Sequence, residues 1–505
     1  MPVAARFHQT LRQRPDALAV AISGHSFSYR DLASHIGGLD GWLRTLPASL
    51  RPNIALPEPG RLMALAIGNH PASVPILSTA LTTPHAVAVM DPSWPDATLS
   101  EMLERCRPDV LFHLGTHPGL VMAADRLGLP AINLSSGLSA LPHATAAAPE
   151  VTDPEGVFLL GFTSGTTSAP KCFARTRRSW QISLTEGRAA FGLTKASHTV
   201  APGPLSHGLT LYAFAEALDA GACFFGLNKF SATRTATLLR DGLATRLVAV
   251  PSMIEALVAR NRPFPGITNV TTAGAKLSPE TLSRALAAFP DAEITEYYGA
   301  SELGFVSLAR HSQTGSNAPP HSVGFPFPHV DLSIRADGQR VAQGETGTVF
   351  VRGDLAIAGY LGPAQDGFRR DGDWATVGDM GRIDPDGSLV LLGREGGMIL
   401  SGGYNIFPQE VAQVLMQAEG VTGAEVFGLP DPFLGQKVVA VLAGRIDAPT
   451  LAAHCRAHLP AYKLPRQVFT LDHWPMTTSG KRARGKIEEW LKEGDAQLVP
   501  LERFR

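Results

Sequence analysis

A run of small and hydroxylic side chains that ends in a lysine is the most chemically distinctive segment of the sequence. An apolar stretch beginning at Phe158 leads into seven small residues, Thr163 to Ala169, of which five carry hydroxyl groups. Pro170 and Lys171 follow directly. Small residues let backbone N–H groups approach an anion, hydroxyls add donors, and a lysine adds positive charge. The segment therefore predicts a loop that binds phosphate groups.

Other interpretations of this loop stay open on its residues alone. A Walker loop requires GxxxxGK[ST], but no second glycine lies between Gly165 and Lys171, and Cys172 replaces the final hydroxylic residue. A nucleophile elbow requires GxSxG, whereas Ser164 comes one place late. The pattern S-x-x-K from Ser168 to Lys171 would suit a serine hydrolase, although no SDN or KTG partner is present. A Ser/Thr-rich surface turn without a ligand also fits.

Five further segments with reactive or ligand-binding side chains follow this loop along the chain. They combine carboxylates, hydroxyls and basic groups with glycine-rich or turn-forming neighbours. In order they are YYGASE (297–302), VGD (377–379), GR (393–394), SGGYNI (401–406) and PMTTSGK (475–481). A carboxylate suits Mg²⁺, which prefers hard oxygen ligands and bridges phosphates.

The elements that would position these segments form three regions with different secondary-structure patterns. Apolar runs at 17–22, 86–90 and 110–114 alternate with helical patterns at 29–43 and 74–81, which predicts a parallel α/β sheet covered on both faces. Between 320 and 393, short strands between Gly- and Asp-rich turns predict an antiparallel β module. A helix at 408–418 and strands at 424–428 and 437–443 begin a final α+β piece. We therefore predict an α/β fold with a large N-terminal domain, 1–395, and a small mobile domain, 396–505.

Composition excludes several classes of function. The chain has 505 residues, 44% of them apolar, with 44 Lys+Arg against 45 Asp+Glu. This balance does not favour a nucleic-acid partner, which would require a basic surplus. Four cysteines without CxxC spacing argue against a zinc site or a disulfide framework. No apolar run is long enough for a membrane span and no signal peptide is evident, so we expect a cytoplasmic protein.

Taken together and in this order, the motifs resemble those of the adenylate-forming superfamily, which includes acyl-CoA synthetases, adenylation domains of peptide synthetases and luciferases. The resemblance extends from the YRDL segment near residue 30 to Lys481. It implies an enzyme that joins a carboxylic acid to ATP, giving an acyl-adenylate and pyrophosphate, and then passes the acyl group to a thiol. It also implies ATP, Mg²⁺ and coenzyme A as cofactors or substrates.

The resemblance assigns most of the nucleotide site to the N-terminal domain. Glu302 matches the magnesium-binding acid of the family. The implied nucleotide contacts are Thr163, Ser164, Gly165, Thr166, Thr167 and Lys171 at the β- and γ-phosphates, Ser301 at the α-phosphate, Tyr298 and the adjoining Gly299 at the adenine, Ala273, Gly274 and Ala275 along the adenine and acyl pocket, and Asp379 and Arg394 at the ribose.

Three further roles follow from the resemblance. Lys481 matches the C-terminal lysine that catalyses adenylation, because an ammonium between the carboxylate and the α-phosphate stabilises the transition state. His207 matches the residue that gates the acyl tunnel. Gly402 and Gly403 match the loop that passes close to the pantetheine arm of CoA. The chain departs from the family at the hinge, where Gly396 replaces the usual Asp or Lys. The short basic run of Lys171, Arg175, Arg177 and Arg178 is expected to lie on a solvated helix face, with weak attraction of ATP or CoA phosphates as the alternative.

We therefore expect an ATP-dependent carboxylic acid–CoA ligase. The alternatives are an enzyme that loads an acyl or aryl acid onto a carrier protein, an S-x-x-K hydrolase, and a non-catalytic binder. Small residues in the windows 205–212, 273–276 and 298–306 suggest room for an aryl ring or a medium alkyl chain. Lys276 is the only cation in those windows that could bind a second carboxylate. The sequence does not identify the acid.

Overall fold

The structure is a computed structural model, and it describes residues 2–48, 56, 60–142, 144, 153–163, 170–260, 262–362, 367–395, 397–401, 404–477 and 480–502. The helices within these ranges are α1 (Ala4–Gln13), α2 (Tyr29–Leu43), α3 (Ser73–Thr82), α4 (Asp96–Cys106), α5 (Pro118–Arg126), α6 (Arg177–Ala190), α7 (Gly208–Ala220), α8 (Ala232–Arg240), α9 (Pro251–Val258), α10 (Pro279–Ala288), α11 (Pro408–Met416), α12 (Ala448–His458) and α13 (Arg484–Glu493).

The strands within the same ranges are β1 (Leu18–Ile22), β2 (His25–Ser28), β3 (Leu62–Leu65), β4 (Ala86–Val89), β5 (Val110–His113), β6 (Ala131–Asn133), β7 (Val157–Thr163), β8 (Lys171–Thr176), β9 (His198–Val200), β10 (Cys223–Gly226), β11 (Arg246–Val248), β12 (Asn269–Ala273), β13 (Glu293–Ala300), β14 (Gly304–Ser312), β15 (Gly315–Ser316), β16 (Phe325–Pro326), β17 (Asp331–Ala336), β18 (Gln339–Arg340), β19 (Gly347–Arg352), β20 (Arg369–Asp371), β21 (Trp374–Thr376), β22 (Asp379–Ile383), β23 (Leu389–Arg394), β24 (Ile399–Ser401), β25 (Tyr404–Ile406), β26 (Val421–Asp431), β27 (Gly435–Gly444), β28 (Gln467–Thr470) and β29 (Val499–Pro500).

Two mostly parallel sheets form the body of the N-terminal part. One runs in the order β15-β14-β13-β12-β11-β9-β10-β1-β2, and the other in the order β6-β5-β3-β4-β7-β8. Strands β3, β4 and β5 are buried along their whole length, as expected for parallel strands covered on both faces. Helix α2 begins at a capping box in which Ser28 and Asp31 bond each other's backbone N–H groups. The predicted α/β architecture is confirmed.

The two remaining sheets correspond to the predicted antiparallel module and to the predicted C-terminal α+β piece. Strands β17 to β23 form an antiparallel sheet that follows β14 to β16 along the chain. The C-terminal sheet has the order β25-β24-β27-β28-β29, and β26 pairs with β27 along most of its length. Its core is separate from the N-terminal cores and includes Val411, Leu415 and Val426. No helix among the described residues has both the length and the apolar character needed to cross a bilayer.

The carboxyl ends of parallel strands are where open α/β sheets present ligand-binding loops. Strands β12 and β13 are parallel neighbours, with Ala273 opposite Tyr297 at their carboxyl ends. Strand β13 then turns into the antiparallel β14. In the other sheet, β7 and β8 are antiparallel, with Thr163 opposite Lys171. The fold thus places the ends of the predicted phosphate loop and the YYGASE segment at strand termini.

Candidate functional site

The turn between β13 and β14 presents Ser301 and Glu302. The hairpin closes tightly at Gly299, where a Cβ atom would lie 2.4 Å from the Gly304 carbonyl oxygen, so only glycine fits without displacing backbone. Beyond this point, Ser301 is exposed to solvent and the carboxyl-bearing Glu302 is buried. The turn therefore offers a hydroxyl to the open side of the site and holds a carboxylate within it.

Tyr298 joins the hairpin to the antiparallel module. Its hydroxyl donates to Asp379 Oδ2 at 2.5 Å, and Arg394 Nε donates to Asp379 Oδ1 at 2.8 Å. Asp379 and Arg394 face each other in the register of β22 and β23. Burial, followed by the neighbouring Asp379 carboxylate, raises the pKa of Tyr298 well above its ordinary value, so the hydroxyl stays a donor. The predicted adenine and ribose residues thus form one hydrogen-bonded cluster.

Glu302 is held by a residue that the sequence argument did not single out. The Tyr360 hydroxyl donates to Glu302 Oε1 at 2.6 Å. The Ile357 N–H donates to the backbone carbonyl of Glu302 at 2.8 Å. Among the described residues, no side chain donates to the second carboxylate oxygen, Oε2, and no group of three or more His, Cys, Asp or Glu side chains could enclose a metal ion. One buried carboxylate with a spare oxygen fits Mg²⁺, which binds through one or two carboxylates plus substrate phosphates.

The predicted phosphate loop is described only at its ends. Ser164, Gly165, Thr166 and Thr167 lie outside the described residues. Thr163 ends β7 and Lys171 begins β8, and the Lys171 ammonium lies 5.4 Å from the centre of the Tyr360 ring. This distance is in the range of a cation–π contact. Both ends of the loop therefore lie beside the Glu302 side of the site.

Lys481 reaches the N-terminal site from the C-terminal part of the chain. Gly274, directly after β12, has a φ of +92°, and a Cβ atom there would lie 3.0 Å from Lys481 Cε. The preceding Gly480 carbonyl accepts a hydrogen bond from Ser252 Oγ at 2.5 Å. Ala275, next to Gly274, is exposed, whereas Ala273 is buried at the end of β12. The structure thus places Lys481 against the predicted adenine and acyl loop.

The electrostatic surroundings of Lys481 come from the same residues that define the nucleotide cluster. The side chain lies in an open cleft, where partial desolvation and then Arg394 lower its pKa from the usual 10.5. Glu302 and Asp379 act in the opposite direction. Among the described residues, no carboxylate is close enough to Lys481 to form an ion pair. Its ammonium group is therefore available to an anionic substrate.

His207 precedes α7 and contacts a residue from the other parallel sheet. Its Nε2 lies 3.1 Å from Asp91 Oδ2. Burial raises the pKa of Asp91, but hydrogen bonds from His207 and Ser93 outweigh it and hold the value at about 2. A Cβ atom at Gly208 would lie 4.0 Å from Ser301 Oγ, so the start of α7 borders the Ser301 turn. The structure brings His207 to the edge of the site.

The chain just before the predicted hinge is tied to the antiparallel module. Glu395 accepts two hydrogen bonds from Arg369, at 2.6 and 2.8 Å, and a further one from Thr348 Oγ1. Gly396, the departure at the hinge, lies outside the described residues, as do Gly402 and Gly403. The neighbouring Tyr404 ring stacks on Tyr462 with centroids 4.2 Å apart.

One sequence interpretation is wrong. The basic residues from Lys171 to Arg178 were expected to form a solvated helix face, but 171–176 is the strand β8, and Arg175 and Arg177 are buried. Arg175 Nη2 donates to the Ser301 carbonyl at 2.6 Å, and Arg177 donates to backbone carbonyls around residue 84. Burial lowers the pKa of Arg175 to about 10. These arginines satisfy carbonyls from distant segments, which a local charge count does not reveal.

Two residues near the site were missed by sequence reasoning: Tyr360 and Asp91. Tyr360 follows a glycine in a short segment without periodicity, so its pairing with β8 carried little local signal. Asp91 comes two residues after the apolar strand β4, and a polar residue just after a strand in an α/β protein could have marked it as a candidate.

Two family models and several relatives match this chain. The model of the AMP-binding enzyme family matches residues 7–361, and that of the AMP-binding enzyme C-terminal domain matches residues 410–481. An uncharacterized acyl–CoA ligase of Bacillus subtilis, YhfT, is 32% identical over 98% of this chain and 99% of its own length. A sulfoacetate–CoA ligase of Cupriavidus necator is 30% identical, with 78% of this chain and 77% of its own length covered.

A solved structure extends the likeness of the fold to nearly the whole chain. The ATP-bound MatB of Rhodopseudomonas palustris superposes with a TM-score of 0.84 at 21% identity, covering 97% of this chain and 99% of that one. At this identity the match concerns the fold alone. The family models and the relatives that share about a third of the sequence show more: the chain belongs to the AMP-binding enzyme family and is a ligase of the adenylate-forming superfamily.

Proposed function

We propose that this ligase activates a carboxylic acid with ATP as an acyl-adenylate and then transfers the acyl group to the thiol of CoA. The observation that carries the proposal is the position of Lys481 against Gly274, in the field of Glu302 and Asp379. A cation at this place is useful only where two anions must approach each other. A carboxylate that attacks the α-phosphorus of ATP meets that requirement.

In the first step, a carboxylate oxygen bonds to the α-phosphorus and pyrophosphate leaves. The Lys481 ammonium reduces repulsion between the acid and the phosphate and offsets charge that develops in the transition state. Asp379 holds the ribose hydroxyls, and Ser301 donates to the α-phosphate. Mg²⁺ bound at Glu302 would supply charge neutralisation for the phosphates. The ends of the loop at Thr163 and Lys171 flank the departing pyrophosphate.

In the second step, the CoA thiolate attacks the acyl carbon and AMP leaves. We place CoA at the SGGYN segment, because the exposed Tyr404 and Tyr462 rings stack there. Exposed aromatic faces suit stacking on the base of a nucleotide, whereas the adjoining Lys463 ammonium is paired with Glu410 at 2.6 Å. The division of the chain at 395/396 lets this segment face the nucleotide site after the C-terminal domain turns.

The acid is proposed only by class. The predicted acyl windows lie around Ala273, the start of α7 and the β13–β14 turn, which adjoin one another in space. Lys276, the cation that could have bound a second carboxylate, donates to the Ser322 carbonyl at 2.6 Å. A backbone carbonyl thus already engages its ammonium, which favours a monocarboxylic acid, aryl or medium-chain, over a dicarboxylic one.

The test is acid-dependent release of pyrophosphate from ATP with aryl, short, medium and dicarboxylic acids, with and without CoA. We expect one class to give acyl-CoA and AMP, and Lys481→Ala to reduce adenylation by about 100- to 1,000-fold, as for loss of a positioned charge-stabilising group. Lys492→Ala, which removes an exposed lysine paired with Glu488, is the matched control and should act like wild type.

Each outcome decides between functions. Adenylate formation without turnover on CoA would transfer the proposal to a carrier-protein thiol, tested with a phosphopantetheinylated carrier. Wild-type activity in Lys481→Ala would remove the catalytic assignment. Pyrophosphate from no acid, in the presence of Mg²⁺ and ATP, would contradict the proposed activity for the classes tested.

A further inference from the structure

Tyr360 occupies a position that no motif in the sequence argument explains. Its backbone pairs with Phe173 in β8, and the next N–H, of Leu361, donates to the Cys172 carbonyl at 2.8 Å. The segment is therefore fixed against the strand that leaves the phosphate loop. Its side chain points from there to Glu302.

One side chain thus contacts three groups that the proposed chemistry uses together. The hydroxyl donates to Glu302 Oε1 at 2.6 Å, and Thr163, where β7 ends, lies beside the same hydroxyl. The ring lies 5.4 Å from the Lys171 ammonium, where β8 begins. Tyr360 is consequently shared between the metal-binding acid and both described ends of the phosphate loop.

The direction of the hydrogen bond from Tyr360 to Glu302 suits metal binding. Donation to Oε1 fixes the plane of the carboxylate and leaves Oε2 without a donor among the described side chains. A carboxylate held in one orientation loses less entropy when it binds a cation.

Resting on the proposed function, we propose that Tyr360 is a positioning residue that sets the Glu302 carboxylate relative to the two ends of the phosphate loop, so that Mg²⁺ and the β- and γ-phosphates are bound as one unit. The residue acts through Glu302 and the loop. Its contribution is therefore to the coupling between metal and nucleotide, and not to the binding of the acid.

Tyr360→Phe tests this directly, because it removes the hydroxyl and keeps the ring beside Lys171 and Phe368. Calorimetric titration with α,β-methylene-ATP, with Mg²⁺ and again with EDTA, measures how much the metal strengthens nucleotide binding. We expect this Mg²⁺ enhancement to fall by about tenfold or more, as for loss of one hydrogen bond to a charged group, while affinity in EDTA changes little. The KM for the acid should stay within about twofold of wild type, because the hydroxyl reaches only Glu302 and Thr163.

Tyr29→Phe is the matched control. It removes a similar buried hydrogen bond, from the Tyr29 hydroxyl to the Ala222 carbonyl at 2.9 Å, in the N-terminal core. Both variants should unfold at a lower temperature than wild type, but only Tyr360→Phe should lose Mg²⁺ enhancement. An unchanged enhancement in Tyr360→Phe, or an equal loss in Tyr29→Phe, would overturn the inference.

The result separates this inference from the proposed function. Wild-type protein that binds the nucleotide with Mg²⁺ enhancement but releases no pyrophosphate with any acid would contradict the proposed function and leave the positioning role intact. Pyrophosphate release by the wild-type protein, together with an undiminished Mg²⁺ enhancement in Tyr360→Phe, would support the proposed function and overturn the positioning role. The titration contains no acid and depends on binding alone.

Discussion

The two halves of the site are held in different ways. The half built on the N-terminal part is cross-linked by its own side chains, with Asp379 accepting from both Tyr298 and Arg394 and Glu302 accepting from Tyr360. The half that carries Lys481 meets this framework at the Ser252–Gly480 hydrogen bond and at Gly274. The first half is preorganised by buried contacts, whereas the second depends on the docking of a separate domain.

This difference suits a reaction in two steps. The nucleotide must stay bound from ATP through the acyl-adenylate, so its anchoring residues belong to one packed unit. In the proposed mechanism, Lys481 is required only for the first step, and its few contacts with the N-terminal part would be lost at small cost when the C-terminal domain turns. Ion pairs from Arg394 and Glu395 fix the chain up to residue 395, so we infer that rotation begins after it.

The largest effect is expected from a substitution in the N-terminal half of the site, whose side chains are cross-linked by hydrogen bonds. Asp379→Asn weakens two hydrogen bonds that involve the carboxylate charge and the predicted ribose contact, so we expect kcat/KM for ATP to fall by about 100-fold. Because the same residue would hold the acyl-adenylate, transfer from isolated acyl-adenylate to CoA should fall as well. Both half-reactions are measured separately by pyrophosphate release and by thioester formation.

Asp331→Asn is the control for that variant, since it alters an exposed carboxylate paired with Arg352 in the same module. It should leave both half-reactions within about twofold of wild type, as for exposed ion pairs in general. A loss in Asp379→Asn that is confined to adenylation would show that the two halves of the site do not differ in this way.

A substitution beside Lys481, in the half of the site that depends on domain docking, should slow adenylation and leave thioester formation nearly unchanged. Gly274→Ala places a methyl group 3.0 Å from Lys481 Cε, which is closer than normal contact, and strains a backbone with φ of +92°. We expect adenylation to fall by about tenfold, and thioester formation from preformed acyl-adenylate to change little. A change of 1 Å at a positioned group has effects of this order or larger.

Gly266→Ala separates strain from displacement of the lysine. Gly266 has a similar φ of +85°, but nothing lies within 4 Å of a Cβ atom there. It should lower stability as much as Gly274→Ala does and leave adenylation unaffected. Equal losses of adenylation in the two variants would mean that backbone strain, and not Lys481, explains the effect.

The smallest expected effect is a pH dependence of adenylation that arises from the titration of Lys481. Partial desolvation and Arg394 lower the pKa of Lys481, and adenylation needs the charged form, so activity is present below this pKa and is lost as pH rises through it. The fall should begin below pH 10.5, where an ordinary lysine would titrate. Lys481→Arg stays charged and should lack this alkaline limb, although its maximal rate is lower.

Profiles of adenylation between about pH 7 and 11, with unfolding followed at each pH, measure this effect. Thioester formation from acyl-adenylate should not show the same limb, apart from the titration of CoA itself. Identical alkaline limbs in wild type and Lys481→Arg would assign the titration to another group.

Local patterns predicted the elements well where neighbouring residues determine them. The apolar runs became β4 and β5, and the pattern at 29–43 became α2, whose start Ser28 and Asp31 cap. The antiparallel module was predicted in the same way, because turn residues at fixed offsets limit the chain locally. The interpretation of the basic run at 171–178 as a solvated helix face failed for the opposite reason: Arg175 and Arg177 are buried and donate to carbonyls far along the chain.

The sequence by itself determined the family and the order of the motifs, and it led to the proposed role of most site residues, because these depend on residue types at fixed spacing. Tertiary structure alone decided which of them meet. The Tyr360–Glu302 bond spans 58 residues and the Ser252–Gly480 bond spans 228. Such contacts depend on how sheets and domains pack, and packing is a property of the whole chain that no local pattern contains.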